Sequence, residues 1–151
     1  MARRKGDGSL RALVIRFRRV GDAVLAVAAC SSLKRSFPDI RVDFVLNEAI
    51  APLFEGHPDI DRVVTFTDTD NANPWRYVRR VFNVMRKTRY DILIDMRATP
   101  RTLLFSLFSL RTPYRIGTRK PYSRLLHNYR VADRTDPSLD MVQRDLLLLS
   151  P

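Results

Sequence analysis

The stretch Ala12-Leu13-Val14-Ile15-Arg16-Phe17-Arg18-Arg19-Val20-Gly21-Asp22-Ala23-Val24-Leu25-Ala26 decides how this 151-residue chain is read. Residues 12–17 are a short apolar run interrupted by an arginine, which suits a strand. From Asp22 onward apolar residues recur at helical spacing, through Ala23, Leu25, Ala26, Ala29 and Leu33, until Pro38 stops the pattern. A strand that turns directly into a helix is the opening of a β-α-β unit.

The same alternation continues to the end of the chain. Residues 41–46 and 62–66 read as strands. Residues 74–89 begin with a proline at a helix start and place Trp75, Val78, Phe82 and Met85 on one face. Residues 91–96 are another apolar run, 102–110 a helix, 114–116 and 128–131 short strands, and 138–149 a closing helix. Strands separated by helices of this length imply parallel pairing through crossovers. The expected fold is therefore α/β, a doubly wound, Rossmann-like parallel sheet with helices on both faces. Residues 1–10 read as a basic tail and 11–151 as one domain, with no internal repeat.

Composition narrows the classes further. Apolar residues make 45% of the chain and charged residues 28%, with five glycines and nine prolines, which excludes a disordered or collagen-like chain. A single cysteine, Cys30, excludes a disulfide framework and a four-thiolate zinc site. The longest apolar runs fall well short of the roughly 20 residues that cross a bilayer. The basic start is followed by an arginine-broken strand, unlike a signal peptide, so a cytoplasmic protein is expected.

Charge is unevenly placed. Lysine and arginine number 27 against 16 aspartates and glutamates. Three stretches, residues 8–21, 71–90 and 96–132, contain basic residues and no acid, whereas half of the carboxylates fall between Asp39 and Asp70. Arginine offers a planar fork of donors that fits phosphate and carboxylate oxygens, so anionic partners are expected on one side of the molecule. Bulk arginine enrichment from a biased genome is the competing explanation.

Doubly wound sheets bind ligands at the carboxyl ends of their strands. Those ends carry Arg18-Arg19-Val20-Gly21-Asp22, then Arg97-Ala98-Thr99-Pro100-Arg101, then Gly117-Thr118-Arg119-Lys120. Asp22 is the sole acid between Asp7 and Asp39. It reads either as a helix-start aspartate favoured by the macrodipole and orphan amides, or as a general base for a hydroxyl held at the strand ends. Arg18, Arg19 and Gly21 read as an anion-binding loop or a solvated basic one. The loop lacks the dinucleotide G-x-G-x-x-G pattern, and the chain has no P-loop motif. The basic helix over 74–89 packs on its sheet or lies against anionic headgroups. His57 and His127 lack metal-ligand spacing and are expected to be structural, with no metal site in the chain. Cys30 is expected on the buried face of the first helix, and Trp75 as a packing anchor.

Several ordered segments carry a resemblance. Val14-Ile15-Arg16, Arg19-Val20-Gly21-Asp22-Ala23-Val24-Leu25, Ser32-Leu33-Lys34-Arg35-Ser36-Phe37-Pro38, Pro52-Leu53-Phe54-Glu55-Gly56-His57-Pro58-Asp59-Ile60-Asp61 and Arg89-Tyr90-Asp91-Ile92-Leu93-Ile94-Asp95 resemble, in order, the amino-terminal part of glycosyltransferase family 9, the lipopolysaccharide heptosyltransferases. The resemblance implies the amino-terminal half of a GT-B enzyme, an inverting sugar transferase with two Rossmann-like domains facing across a cleft. It implies an anionic lipopolysaccharide core as acceptor on this side. The nucleotide-sugar donor, typically ADP-heptose, would sit on a carboxy-terminal domain outside this chain or on a separate donor-domain chain, and no other cofactor is implied. Such an enzyme would work peripherally at the inner face of the bacterial inner membrane.

The family's glycine-aspartate pair falls on Gly21 and Asp22, so the resemblance implies Asp22 as the catalytic base. The arginine rim of Arg18, Arg19, Arg97, Arg101, Arg119 and Lys120 becomes the acceptor clamp. Where many members carry glutamine-glycine after the strand at 91–95, this chain has Met96-Arg97-Ala98. The chain stops at Ser150-Pro151, about where the family's first domain ends, and alone it is expected to transfer nothing. The competing readings are a basic α/β domain that binds nucleic acid without catalysis, and an inactive truncated remnant. Nucleic acid is disfavoured because an RNA binder gains little from a carboxylate in its basic rim.

Overall fold

The computed structural model describes residues 9–17 and 20–131. Its strands are β1 (Arg11–Ile15), β2 (Arg41–Asn47), β3 (Arg62–Phe66), β4 (Ile92–Asp95), β5 (Tyr114–Thr118) and β6 (Tyr129–Val131). They form one sheet in the order β3-β2-β1-β4-β5-β6, and every pairing is parallel. The helices are α1 (Val20–Ser36), α2 (Asp68–Ala72), α3 (Pro74–Lys87) and α4 (Leu103–Leu107). The expected doubly wound α/β class is what the molecule adopts.

Alternation along β1 sorts the core into two layers. Ala12 and Val14 face one side with Val42, Phe44, Leu46 and Ile94, and Leu13 and Ile15 face the other with Val45, Val64, Phe66 and Leu93. α1 covers the first side through Ala23, Ala26, Ala29, Cys30 and Leu33, which share one face of the helix. Four of these five side chains are alanine or cysteine, so the helix backbone lies close to the sheet. Cys30 is fully buried, as expected, and burial pushes its thiol up to about 12, which leaves it inert. α3 and α4 cover the second side.

The face of α3 differs from the expected one. The helix buries Tyr77, Val81 and Val84, while Trp75 is 83% exposed and Phe82 is 43% exposed. Trp75 is therefore no packing anchor. The reason is local. Asn73 accepts from the amides of Trp75 and Arg76 and fixes the start of the helix. Tyr77 then joins an aromatic cluster with Phe66 and Phe17, at ring-centroid distances of 5.4 and 6.4 Å, and this sets the rotation of the helix. Asn73 also closes α2, whose Thr67 and Asp70 form a reciprocal capping box, a short helix that hydrophobic periodicity missed.

Several expected elements are trimmed at their ends, two of them most. The strand over 12–17 ends at Ile15, and the helix over 102–110 shrinks to Leu103–Leu107. In the latter case Ser109 bonds back to the Ser106 carbonyl through both its amide and its hydroxyl, tightening the chain into turns. The closing helix over 138–149 and most of the basic tail lie outside the described residues.

Gly117 in β5 has a packing reason to be glycine. A Cβ there would stand 2.2 Å from Cε1 of His127, whose ring is buried over the strand. Gly117→Ala should therefore destabilise the fold by about 1–3 kcal/mol through overpacking, read as a lower denaturant midpoint. In a His127→Ala background the same change should cost far less; an equal cost in both backgrounds would contradict this packing.

Candidate functional site at the carboxyl ends of β1 and β4

The strand order places the site. The chain runs outward from β1 through α1 to β2 and β3, then crosses back through α3 to β4 on the other flank of β1. The crevice between the loops that leave β1 and β4 is the topological switch point, where this class of sheet holds its ligands. Ile15 and Asp95 are register partners, so both loops depart from the same level.

Asp22 arrives from the first turn of α1 and is 8% exposed. As the third helical residue it sits inside that turn, where the macrodipole favours a negative charge. Two guanidinium groups face its Oδ2. Arg16 Nη2 lies at 3.9 Å and Arg97 Nη1 at 3.8 Å. Both separations are ionic contacts longer than hydrogen bonds. The carboxylate is therefore held in place by charge, while Oδ2 can still accept from a hydroxyl. Arg16 is buried, and its Nη1 donates to the Met96 carbonyl at 3.3 Å, which ties the end of β4 to the Asp22 side. Arg97 is about half exposed and forms the solvent side of the pair.

The other sequence-derived candidates are placed as follows. Arg18 and Arg19 lie outside the described residues. Gly21 is exposed in the first turn of α1, and a Cβ there would meet no protein atom within 4 Å. Arg101 turns aside: its guanidinium stacks 5.7 Å over the Tyr77 ring, and its carbonyl accepts from the Tyr77 hydroxyl at 3.2 Å. Arg119 and Lys120 stand at the end of β5, two strands from β1 and so on the order of 10 Å away. Their amides are engaged with the Val131 carbonyl and the Ser123 hydroxyl respectively. Of the described clamp residues, Arg97 is the one drawn up to Asp22. Among the described residues no group of three or more His, Cys, Asp or Glu is placed to hold a metal ion, and no helix is long and apolar enough to cross a membrane.

Sequence reasoning missed Arg16, Asp95 and His127. Arg16 was visible as the single charge at the end of the first apolar run. Asp95 was absorbed into the strand at 91–96, yet its side chain is fully buried. Its Oδ1 accepts from the amides of Arg97 at 3.1 Å and Ala98 at 2.8 Å. Its Oδ2 has no hydrogen-bond partner and faces His127 Nε2 at 3.8 Å, and neither ring nitrogen of His127 has one either. His127 is structural in the sense expected, but the carboxylate it faces belongs to the site loop.

Burial pushes Asp95 up to about 6, against the opposing pull of the Thr102 hydroxyl and the two loop amides. Burial, with the charges of Arg115 and Arg130, lowers His127 to about 4. Near neutral pH the pair is thus a carboxylate beside a neutral imidazole. The two groups act on stability with opposite sign. Asp95 holds a proton in the folded state at pH values where the unfolded chain has lost it, so its contribution falls as pH rises from about 4 to about 6. His127 sheds a proton that the unfolded chain keeps below 6.5, so its contribution falls as pH drops through the same range. Asp95→Asn should therefore make stability drop on acidification from pH 6.5 to 4 more steeply than in the wild type. His127→Gln should make it rise, each slope being at most about 1.4 kcal/mol per pH unit. Urea midpoints across that range check this, and three parallel profiles would refute it.

No family model matches the chain. Curated relatives do. Lipopolysaccharide heptosyltransferase 1 of Pseudomonas aeruginosa is 24% identical over 110 residues, which covers 69% of this chain and 31% of that protein. Among solved structures, a glycosyl transferase of family 9 from Veillonella parvula superposes with a TM-score of 0.80 at 17% identity, over 93% of this chain and 41% of that one. The Escherichia coli heptosyltransferase WaaC, solved with ADP-2-deoxy-2-fluoro heptose, gives 0.73 at 18% identity, over 93% and 47%. The chain spans about a third of the length of the curated relatives it matches. The chain is thus similar in sequence to the lipopolysaccharide heptosyltransferases and shares its α/β fold with glycosyltransferases of family 9.

Proposed function

We propose that this chain is the acceptor-side, amino-terminal domain of an inverting heptosyltransferase, acting on the lipopolysaccharide core. The observation that carries this reading is Asp22, a nearly buried carboxylate at the switch point with Arg16 and Arg97 on either side of it. Its relatives in sequence are named lipopolysaccharide heptosyltransferases, and one similar structure holds an analogue of ADP-heptose. Both facts favour ADP-heptose as donor, bound by a second domain.

The proposed chemistry makes use of this geometry. Asp22 takes the proton of the acceptor hydroxyl as that oxygen bonds to the anomeric carbon of the donor. The bond from that carbon to the diphosphate breaks on the opposite face, and the electron pair leaves with the diphosphate, so configuration inverts. Arg16 and Arg97 hold the base in position by charge, and Arg97 is exposed enough to reach a phosphate or carboxylate of the acceptor. Arg18 and Arg19, with Arg119 and Lys120 at the end of β5, extend the clamp, whereas Arg101 is taken up by the Tyr77 ring. Gly21 leaves room for the acceptor to approach the first turn of α1. A lipid-linked acceptor would bring the chain to the inner face of the inner membrane.

The test joins this chain to a heptosyltransferase donor domain. Asp22→Asn should cut turnover by about 10²–10⁴-fold, the usual worth of a positioned base, with affinity for the phosphorylated core nearly unchanged. Parallel losses of stability and affinity would make Asp22 a structural residue and overturn the reading. Gly21→Ala should leave folding intact or improve it by about 0.5–1 kcal/mol, since the chain's own packing makes no use of the vacant space. It should nevertheless weaken acceptor binding, measured by calorimetry with phosphorylated core oligosaccharide.

A further inference from the structure

The loop that carries Arg97 has an unusual backbone. Ala98 has φ 46°, the one positive value at a non-glycine residue among the described residues, and it is fully buried. An alanine does not adopt the left-handed region without something to hold it there. Two consecutive amides, those of Arg97 and Ala98, converge on one oxygen, Asp95 Oδ1. Converging amides of this kind form a concavity that suits an anion, and here the chain's own carboxylate fills it. Beyond the turn, the Thr99 and Thr102 hydroxyls each accept from the other residue's amide, at 3.3 and 2.9 Å, which closes the loop onto α4.

We propose that Asp95 is the positioning residue of the site, holding the turn that aims the Arg97 guanidinium at Asp22. The inference deepens the assignment of Asp22 and Arg97 above and rests on it. Asp95 does not touch the reacting atoms. It lies beneath the loop, on the same side of the sheet as Ile15, and acts through the backbone of the two residues that follow Met96. Its second oxygen faces His127, which Gly117 admits by having no side chain. The carboxylate is therefore bonded to the site loop on one side and packed against His127, in the chain leading into β6, on the other.

The experiment uses the full chain and nuclear magnetic resonance. In the wild type, Asp22→Asn should shift the Arg97 side-chain Nε–H resonance, because the two groups face each other. In an Asp95→Ala background that response should vanish, and amide exchange at Arg97 and Ala98 should speed up at least tenfold more than at Leu13 in the core. Asp95→Asn retains an acceptor oxygen and should preserve both signals, which separates positioning from general loss of stability. Should Asp95→Ala not fold, Asp95→Ser serves in its place. Persistent protection of the two amides, or an Arg97 resonance that still responds to Asp22→Asn, would overturn the proposal. A separate arm titrates the wild type with phosphorylated core oligosaccharide. Absence of binding there counts against the proposed function, while the resonance measurements still decide the role of Asp95.

Discussion

The structure depends on two parallel strands lying side by side with their carboxyl ends level. β1 and β4 are neighbours in space though about 75 residues of chain separate them. Their pairing aligns Ile15 with Asp95. Everything at the rim follows from that register. Arg16, one residue past the end of β1, can donate to Met96, one residue past the end of β4. Asp22 and Arg97 are then delivered to the same rim, 3.8 Å apart. A slip of one residue in this ladder would turn Asp95 to the other face and leave the loop amides without their acceptor. Both core layers oppose such a slip, because Leu13, Ile15 and Leu93 on one side and Ala12, Val14 and Ile94 on the other are all buried.

Much of this was legible in the sequence. The alternation of strands and helices gave the class, because each buried strand is a compact apolar run and each crossover is long enough for a helix. The strand ends gave the rim. Asp22 stood out because no other acid is near it in the chain, and Arg97 because it follows a strand in an acid-free stretch. What escaped notice has a common physical origin. A buried carboxylate such as Asp95 interrupts no pattern when it closes an apolar run, and its function lies in contacts with a backbone turn that no residue type announces. The rotation of α3 was misjudged for a related reason. Hydrophobic periodicity weighs Trp75 and Phe82 above Tyr77, but the aromatic partners that select Tyr77 come from β3 and from Phe17. Those partners exist only once the sheet has formed.

The charge arrangement at the rim is more discriminating than the bulk excess of arginine suggested. Arg101 is diverted onto an aromatic ring, where its cation stabilises packing. Arg115 donates to the Leu126, Leu110 and Thr112 carbonyls and so braces the loops around β5. Arg62 is shared among Asp43, Thr88 and Tyr90 at the far end of the sheet. Several of the basic residues that give the chain its net charge are thus structural ties. The pair facing Asp22 is set apart by standing 3.8–3.9 Å from its carboxylate, although Arg16 is also a structural tie through the Met96 carbonyl.

Asn73 ends one helix and starts the next within a single residue. A junction of that kind has no slack. Neither helix can rotate, slide or lengthen by a turn without dragging the other, and the leading one is anchored to the end of β3. The crossover between β3 and β4 therefore behaves as a rigid elbow, and changes in chain length during divergence would be accommodated elsewhere along the fold.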